Sequence, residues 1–205
     1  MVFYNSSDIA GWERFYRANF INSLTGFKSV SLIGTVNEKG TTNLGVFSSI
    51  VHIGSNPPLV GYINRPISAA PHTLANIQAT GVYTINQIHP SFVRQAHQTS
   101  AKYDDDISEF NEVGLTPEFR ENIAAPFVKE SSIKYALSLK DIMPIELNNT
   151  FLVIGEILSI QINDDIVSPD GFLFLERAQT ICSNGLDAYY STQFIDRYDY
   201  AKPDK

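Results

Sequence analysis

The chain is poor in cysteine: of its 205 residues, only Cys182 is one. An internal disulfide is therefore impossible, and a cysteine-built zinc site is excluded in practice. A lone thiol suits a reducing, cytoplasmic setting. Positive charge is also scarce. Fifteen Lys and Arg stand against 22 Asp and Glu, a formal net charge of −7, so counterion release offers nothing toward nucleic acid. No apolar run approaches the ~20 residues of a membrane span. The opening MVFYNSSDIAGWERF lacks the basic-then-apolar pattern of a signal peptide. Common catalytic signatures are missing too: there is no G-x-S-x-G, no H-E-x-x-H, no Walker loop and no glycine-rich dinucleotide fingerprint. His52, His72, His89 and His97 show no metal-ligand spacing and read as structural or exposed residues.

What is present is a globular composition. Hydrophobic residues make up 43%, enough for a core in one domain spanning residues 1–205. Asp8 is placed to cap a helix running to about Asn19, with Ile9, Trp12, Phe15 and Tyr16 on its apolar face, packed on the core. Strands follow. Phe27 to Val36 favours a strand, Asn37 to Gly40 a turn, and Thr42 to Ile53 the return strand of a hairpin. Pro57-Pro58 breaks it before a third strand, Leu59 to Asn64. Pro71 suits the first turn of a helix ending near Ala79, with Gly81 placed to stop it. Val82 to Ile88 is a fourth strand, and Pro90 to about Ala101 is helical. Lys102 to Ala125 reads as loop with one short helix. Ser131 to Leu147 and Thr150 to Asn163 alternate apolar and polar residues around Asn148-Asn149, a hairpin signal. A helical turn near Phe172 to Ala178 and an aromatic tail over 185–205 complete the chain. The whole predicts a mainly β, α+β architecture: a small antiparallel barrel with helices on its flank.

Phosphate-compatible features remain. Arg65 directly follows the third strand, and Pro71-His72-Thr73 opens a helix whose free N–H groups favour an anion. A guanidinium could fork onto the same phosphate, and Ser48 and Ser49 lie on the preceding strand. Read alone, Arg65 is equally a surface charge and Thr73 an ordinary first-turn residue.

Four stretches then carry a family resemblance: Gly40 to Ser49 (GTTNLGVFSS), Asn56 to Leu59 (NPPL), His72 to Asn86 (HTLANIQATGVYTIN) and Gly185 to Pro203 (GLDAYYSTQFIDRYDYAKP). Their order and spacing resemble the flavin reductase-like FMN-binding split-barrel family, in its flavoredoxin-like branch. Gly45 stands where that family usually has Ala, and His72 where it usually has Asp. The resemblance implies an antiparallel split barrel that binds FMN. The strand Asn43, Leu44, Gly45, Val46, Phe47 and Ser48 would offer backbone groups to the isoalloxazine edge. Ser48 or Ser49, Arg65 and Thr73 would hold the ribityl phosphate, with His72 as an extra, pH-dependent donor. The segment around Ser100 and Lys102 to Tyr103 would cover part of the flavin, from a second subunit of a homodimer. The aromatic tail (Tyr189, Tyr190, Phe194, Tyr198, Tyr200) would pack across that interface or on its own barrel. The implied activity is NAD(P)H-dependent FMN reduction, with NADH or NADPH as hydride donor and an oxygenase as partner. The alternatives are a flavoredoxin-like electron-transfer protein with tightly held FMN, acting on redox protein partners, and a barrel that has lost its flavin.

Overall fold

The computed structural model describes residues 1–203. Two short helices open it, α1 (Ser6–Gly11) and α2 (Arg14–Leu24), in place of the single helix expected from Asp8. Asn5 is the cap: its side chain accepts from Ser7 and Asp8 N–H, and Asp8 closes the capping box on the Asn5 N–H. Glu13 then caps a separate helix through Phe15 and Tyr16 N–H. Neither helix contains a buried residue, which corrects the expectation of a core-packed face. Tyr4, Trp12, Tyr16 and Phe20 stack on one another instead.

The remaining elements are β1 (Lys28–Ser29), β2 (Ser31–Val36), β3 (Thr42–Phe47), β4 (Ile50–Ser55), β5 (Pro58–Asn64), α3 (Pro71–Thr80), β6 (Val82–Gln87), α4 (Val93–Gln98), α5 (Glu109–Val113), β7 (Pro117–Arg120), β8 (Ile123–Val128), β9 (Ile133–Ile145), β10 (Thr150–Ile162), β11 (Ile181–Asn184) and β12 (Ala188–Ser191). Seven strands form the main antiparallel sheet in the order β3-β2-β6-β9-β10-β5-β4, and β1-β11-β12 form a second sheet. The expected return strand Thr42 to Ile53 breaks at Ser48-Ser49 into β3 and β4, which lie at opposite edges of the main sheet. Only three Cα steps, roughly 11 Å at full stretch, separate Phe47 from Ile50. The sheet must therefore curl until its edges meet, and the result is the split barrel. Across the seam, Ser29 Oγ donates to the Ile50 carbonyl at 3.1 Å.

The β9–β10 hairpin is as expected. The stretch after Lys102, expected as loop with one short helix, holds that helix as α5 and also the β7–β8 hairpin, whose turn uses Asn122 at φ 65°. The Phe172 to Ala178 helical turn is absent; this segment is held by turns and a bridge between Val167 and Leu173.

Leu74 and Ile77 of α3 enter the barrel interior with Ile33, Tyr62, Tyr83 and Leu137. A second cluster, with Leu32, Leu44, Phe92, Phe110 and Val128, covers the outside of β2 and β3 beneath α4 and α5. Leu32 and Ile33 point to opposite faces and are both fully buried, so β2 is covered on both faces. The near half of the tail folds onto its own chain: Phe194 meets Phe174 edge-on at 6.1 Å and Arg197 pairs with Asp170 at 2.6 Å. Tyr198 and Tyr200 are exposed. Asp204 and Lys205, the end of the expected tail, lie outside the described residues.

Candidate functional site

α3 starts without a cap. Ala70 occupies the N-cap position, no side chain bonds there, and Pro71 fills the first turn. The N–H groups of His72 and Thr73 are left for an outside acceptor. The loop before the helix is curled tight. Asn64 Nδ2 donates to the Arg65 carbonyl at 2.8 Å and to the Ala70 carbonyl at 3.4 Å, which brings Arg65 back to the helix start. Arg65 is exposed, and its guanidinium has no hydrogen bond or ion pair among the described residues. Asn64 Oδ1 is buried without a partner.

The two serines separate in role. Ser49 Oγ donates to the Ile63 carbonyl and accepts from the Ile63 N–H, both at 3.2 Å. Its hydroxyl is thereby consumed in joining β4 to β5. The pairing of Ile50 with Tyr62 carries Ser48 toward Asn64 and Arg65, and the Ser48 hydroxyl has no partner among the described residues.

β3 is tied to α3 by Asn43. Its Nδ2 donates to Thr35 Oγ1 at 3.2 Å and to Thr73 Oγ1 at 3.1 Å, which leaves the Thr73 hydroxyl proton free to donate elsewhere. Gly45 faces the same spot: a Cβ there would lie 3.4 Å from Thr73 Oγ1 and 3.0 Å from the Phe47 ring. The outer edge of β3 is partly taken. Buried Glu109, on α5, accepts the Leu44 N–H at 2.9 Å, and Thr42 and Ser108 share a hydroxyl bond at 2.6 Å. The Val46 N–H points to the same edge by ladder alternation, and no side chain accepts it. Burial pushes the Glu109 carboxyl above its usual range, against the Leu44 N–H and the charge on His72, which lower it.

His72 lines a cleft of about 230 Å³ with Asn43, Asn76 and Asp105. Ser100 and Lys102 are not drawn into this group. Ser100 Oγ donates to the His97 carbonyl at the end of α4, and Lys102 is exposed without an ion pair among the described residues. Glu109 and Asn64 were invisible in the sequence as site-builders. Glu109 reads there as one charge in a polar stretch, because its partner Leu44 is 65 residues away.

The start of α3 offers uncapped N–H groups and the Thr73 hydroxyl, and Arg65 and Ser48 lie on the loop and the strand end that lead to it. That set fits a phosphate monoester, and the open edge of β3 runs away from it toward Val46. FMN, a flat ring carried on a phosphate-ended chain, matches both.

Comparison with known proteins agrees with this fold. The family described as flavin reductase like domain matches residues 27–181. A structure assigned as a flavin reductase with a split barrel domain, from Shewanella frigidimarina NCIMB 400, is 47% identical, with coverage of 98% of this chain and 100% of that chain and a TM-score of 0.95. Nitrilotriacetate monooxygenase component B from Bacillus cereus is 19% identical, with 97% and 98% coverage and a TM-score of 0.84. Flavoredoxin of Desulfovibrio vulgaris (Miyazaki F) is 21% identical, with 85% and 92% coverage and a TM-score of 0.74; these last two share the fold. The family match spans well over half of the chain, and the chain belongs to the flavin reductase-like family.

Proposed function

We propose that this protein binds FMN and is an NAD(P)H-dependent FMN reductase. The observation that carries the FMN reading is the uncapped start of α3 beside the unpaired Arg65. Arg65, Thr73, Ser48 and the His72 and Thr73 N–H groups hold the phosphate, and the His72 ring adds a further donor. The backbone of β3 holds the ring edge from Val46 onward, since Glu109 occupies the Leu44 N–H. Asn43 keeps the strand and the phosphate site in register through Thr73. When bound, FMN would supply the redox chemistry, taking hydride from NADH or NADPH, so the protein needs no acid, base or nucleophile of its own.

A homodimer is part of this reading. The outer face of β10, β5 and β4 is apolar yet uncovered. Val51, Ile53 and Leu152 crowd over bare Gly61, Met143 pairs beside Leu152, and Val51, Ile53 and Met143 are each more than 40% exposed. An uncovered apolar sheet face of this kind marks an interface. A second copy there would bring its own Ser100 and Lys102 segment toward the flavin. The acceptor in this reading is an oxygenase, in line with the fold shared with a monooxygenase component B.

Steady-state oxidation of NADH and NADPH, with free FMN as acceptor, tests the activity. Turnover with either donor is the expected result. Tightly held FMN without turnover would replace the reductase by an electron-transfer flavoprotein. A chain that binds no FMN would end both.

A further inference from the structure

A second cavity, of about 560 Å³, lies where Ser31 and Ile50, the 172–182 segment and the tail at 192–194 come together. None of the residues gathered at the start of α3 lines it. Its volume is in the range of small-molecule sites.

Its walls combine apolar surface with unused polar groups. Val60, Phe172 and Phe194 supply flat apolar area. Ser31, His52, Gln87, Tyr135 and Glu176 also line it, and their side chains have no hydrogen-bond partner among the described residues. Ser31 is only 3% exposed, and its hydroxyl, unpaired among the described residues, is open to the cavity. Tyr135 is set apart from its neighbours in the barrel. The Tyr62 and Tyr83 hydroxyls are sealed in the interior without partners, whereas Tyr135 opens onto the cavity.

Charge narrows the ligand. Among the described residues Glu176 is the only carboxylate in the lining, and no Lys or Arg is there to offset it. A phosphate, a pyrophosphate or a sulfonate would enter against that charge with no counter-ion. Aromatic walls and scattered donors and acceptors instead suit a flat, uncharged ring.

We propose that this cavity binds a neutral aromatic molecule of one or two rings carrying hydroxyl or carbonyl substituents, at a site separate from that of the flavin. One wall is the tail, fastened by the Arg197–Asp170 pair at 2.6 Å and by Arg197 over the Phe172 ring at 4.4 Å. The proposal goes beyond the FMN reading and does not depend on it.

The probes are 2-naphthol and its anionic counterpart 2-naphthalenesulfonate. Equilibrium dialysis against the full chain gives stoichiometry and affinity. Alkylation followed by intact mass reports on the wall, because Cys182 lines it and is the only cysteine. One 2-naphthol per chain is expected, bound at least ~10-fold more tightly than the sulfonate, a difference of about 1.4 kcal/mol, and slowing Cys182 alkylation. Glu176→Lys should reverse the preference in favour of the sulfonate, with FMN affinity unchanged. Val60→Trp should fill the cavity and abolish naphthol binding; should it fail to fold, Glu176→Lys decides alone. No naphthol binding, equal binding of both probes, or an unchanged preference in Glu176→Lys would overturn the proposal. Protection of Cys182 by FMN as strong as that by naphthol would overturn the separation of the two sites.

Discussion

Arg65 follows β5 just before an uncapped helix start, and among the described residues its guanidinium has no partner. If it bonds the flavin phosphate, Arg65→Ala should weaken FMN binding by about 1.5–3 kcal/mol, the usual worth of a hydrogen bond to a charged group; fluorescence titration with FMN would show unchanged affinity if Arg65 is only a surface charge. Residues such as Arg65 and Thr73 stand out in the sequence as candidates because their setting is local: a strand end, a proline and a helix start within nine residues. The choice between Ser48 and Ser49 was not legible there. It depends on which hydroxyl the Ile63 backbone consumes, fourteen positions away. Glu109 was missed for the same reason, since nothing near it in the chain announces the Leu44 N–H as its partner.

Elements carry the next level of the account. The bare start of α3 leaves helix stability unused at the point where an anion would be bound. Ala70→Asp should cap the helix and stabilise the fold by about 1 kcal/mol, while its carboxylate occupies the phosphate position. Urea denaturation and FMN titration should therefore move in opposite directions; parallel gains in both would show that the helix start does not face the phosphate. α5 makes a second prediction. Burial raises Glu109 above its usual 4.5. A carboxyl raised on folding binds its proton more tightly folded than unfolded, so the stability tied to it is fully present below 4.5 and is lost as pH rises through the raised value. Glu109→Gln keeps an oxygen for the Leu44 N–H and cannot ionise. Its urea midpoint should fall less than that of the unaltered chain between about pH 5 and pH 8, and an identical fall would remove Glu109 as the source. At this scale the periodicity of β5, α3, β6 and the β9–β10 hairpin was readable. The break at Ser48-Ser49 was not, because Thr42 to Ile53 is uniformly strand-forming and only barrel closure assigns its halves to opposite edges. The β7–β8 hairpin hid in a polar stretch whose turn rests on Asn122 in the left-handed region.

The molecule as a whole is a barrel clothed on one side. α4, α5 and the second sheet cover β2 and β3, while the apolar outer face of β10, β5 and β4 stays bare. If a second copy covers it, Val51→Lys combined with Met143→Lys should yield monomers in sedimentation equilibrium where the unaltered chain is dimeric; an unaltered chain that sediments as a monomer would exclude this interface. The barrel class was legible from strand count and turn spacing. The bare face was not, because side-chain alternation says which residues share a face and not whether anything covers it. The proposed flavin site would follow from barrel closure, which carries Ser48 toward Asn64 and Arg65. Its most direct test is titration of the purified chain with FMN, followed by flavin fluorescence and the visible spectrum. Saturation at one FMN per chain, with quenched fluorescence, is the expected result, and a chain that leaves the FMN spectrum and fluorescence unchanged at every concentration would contradict it.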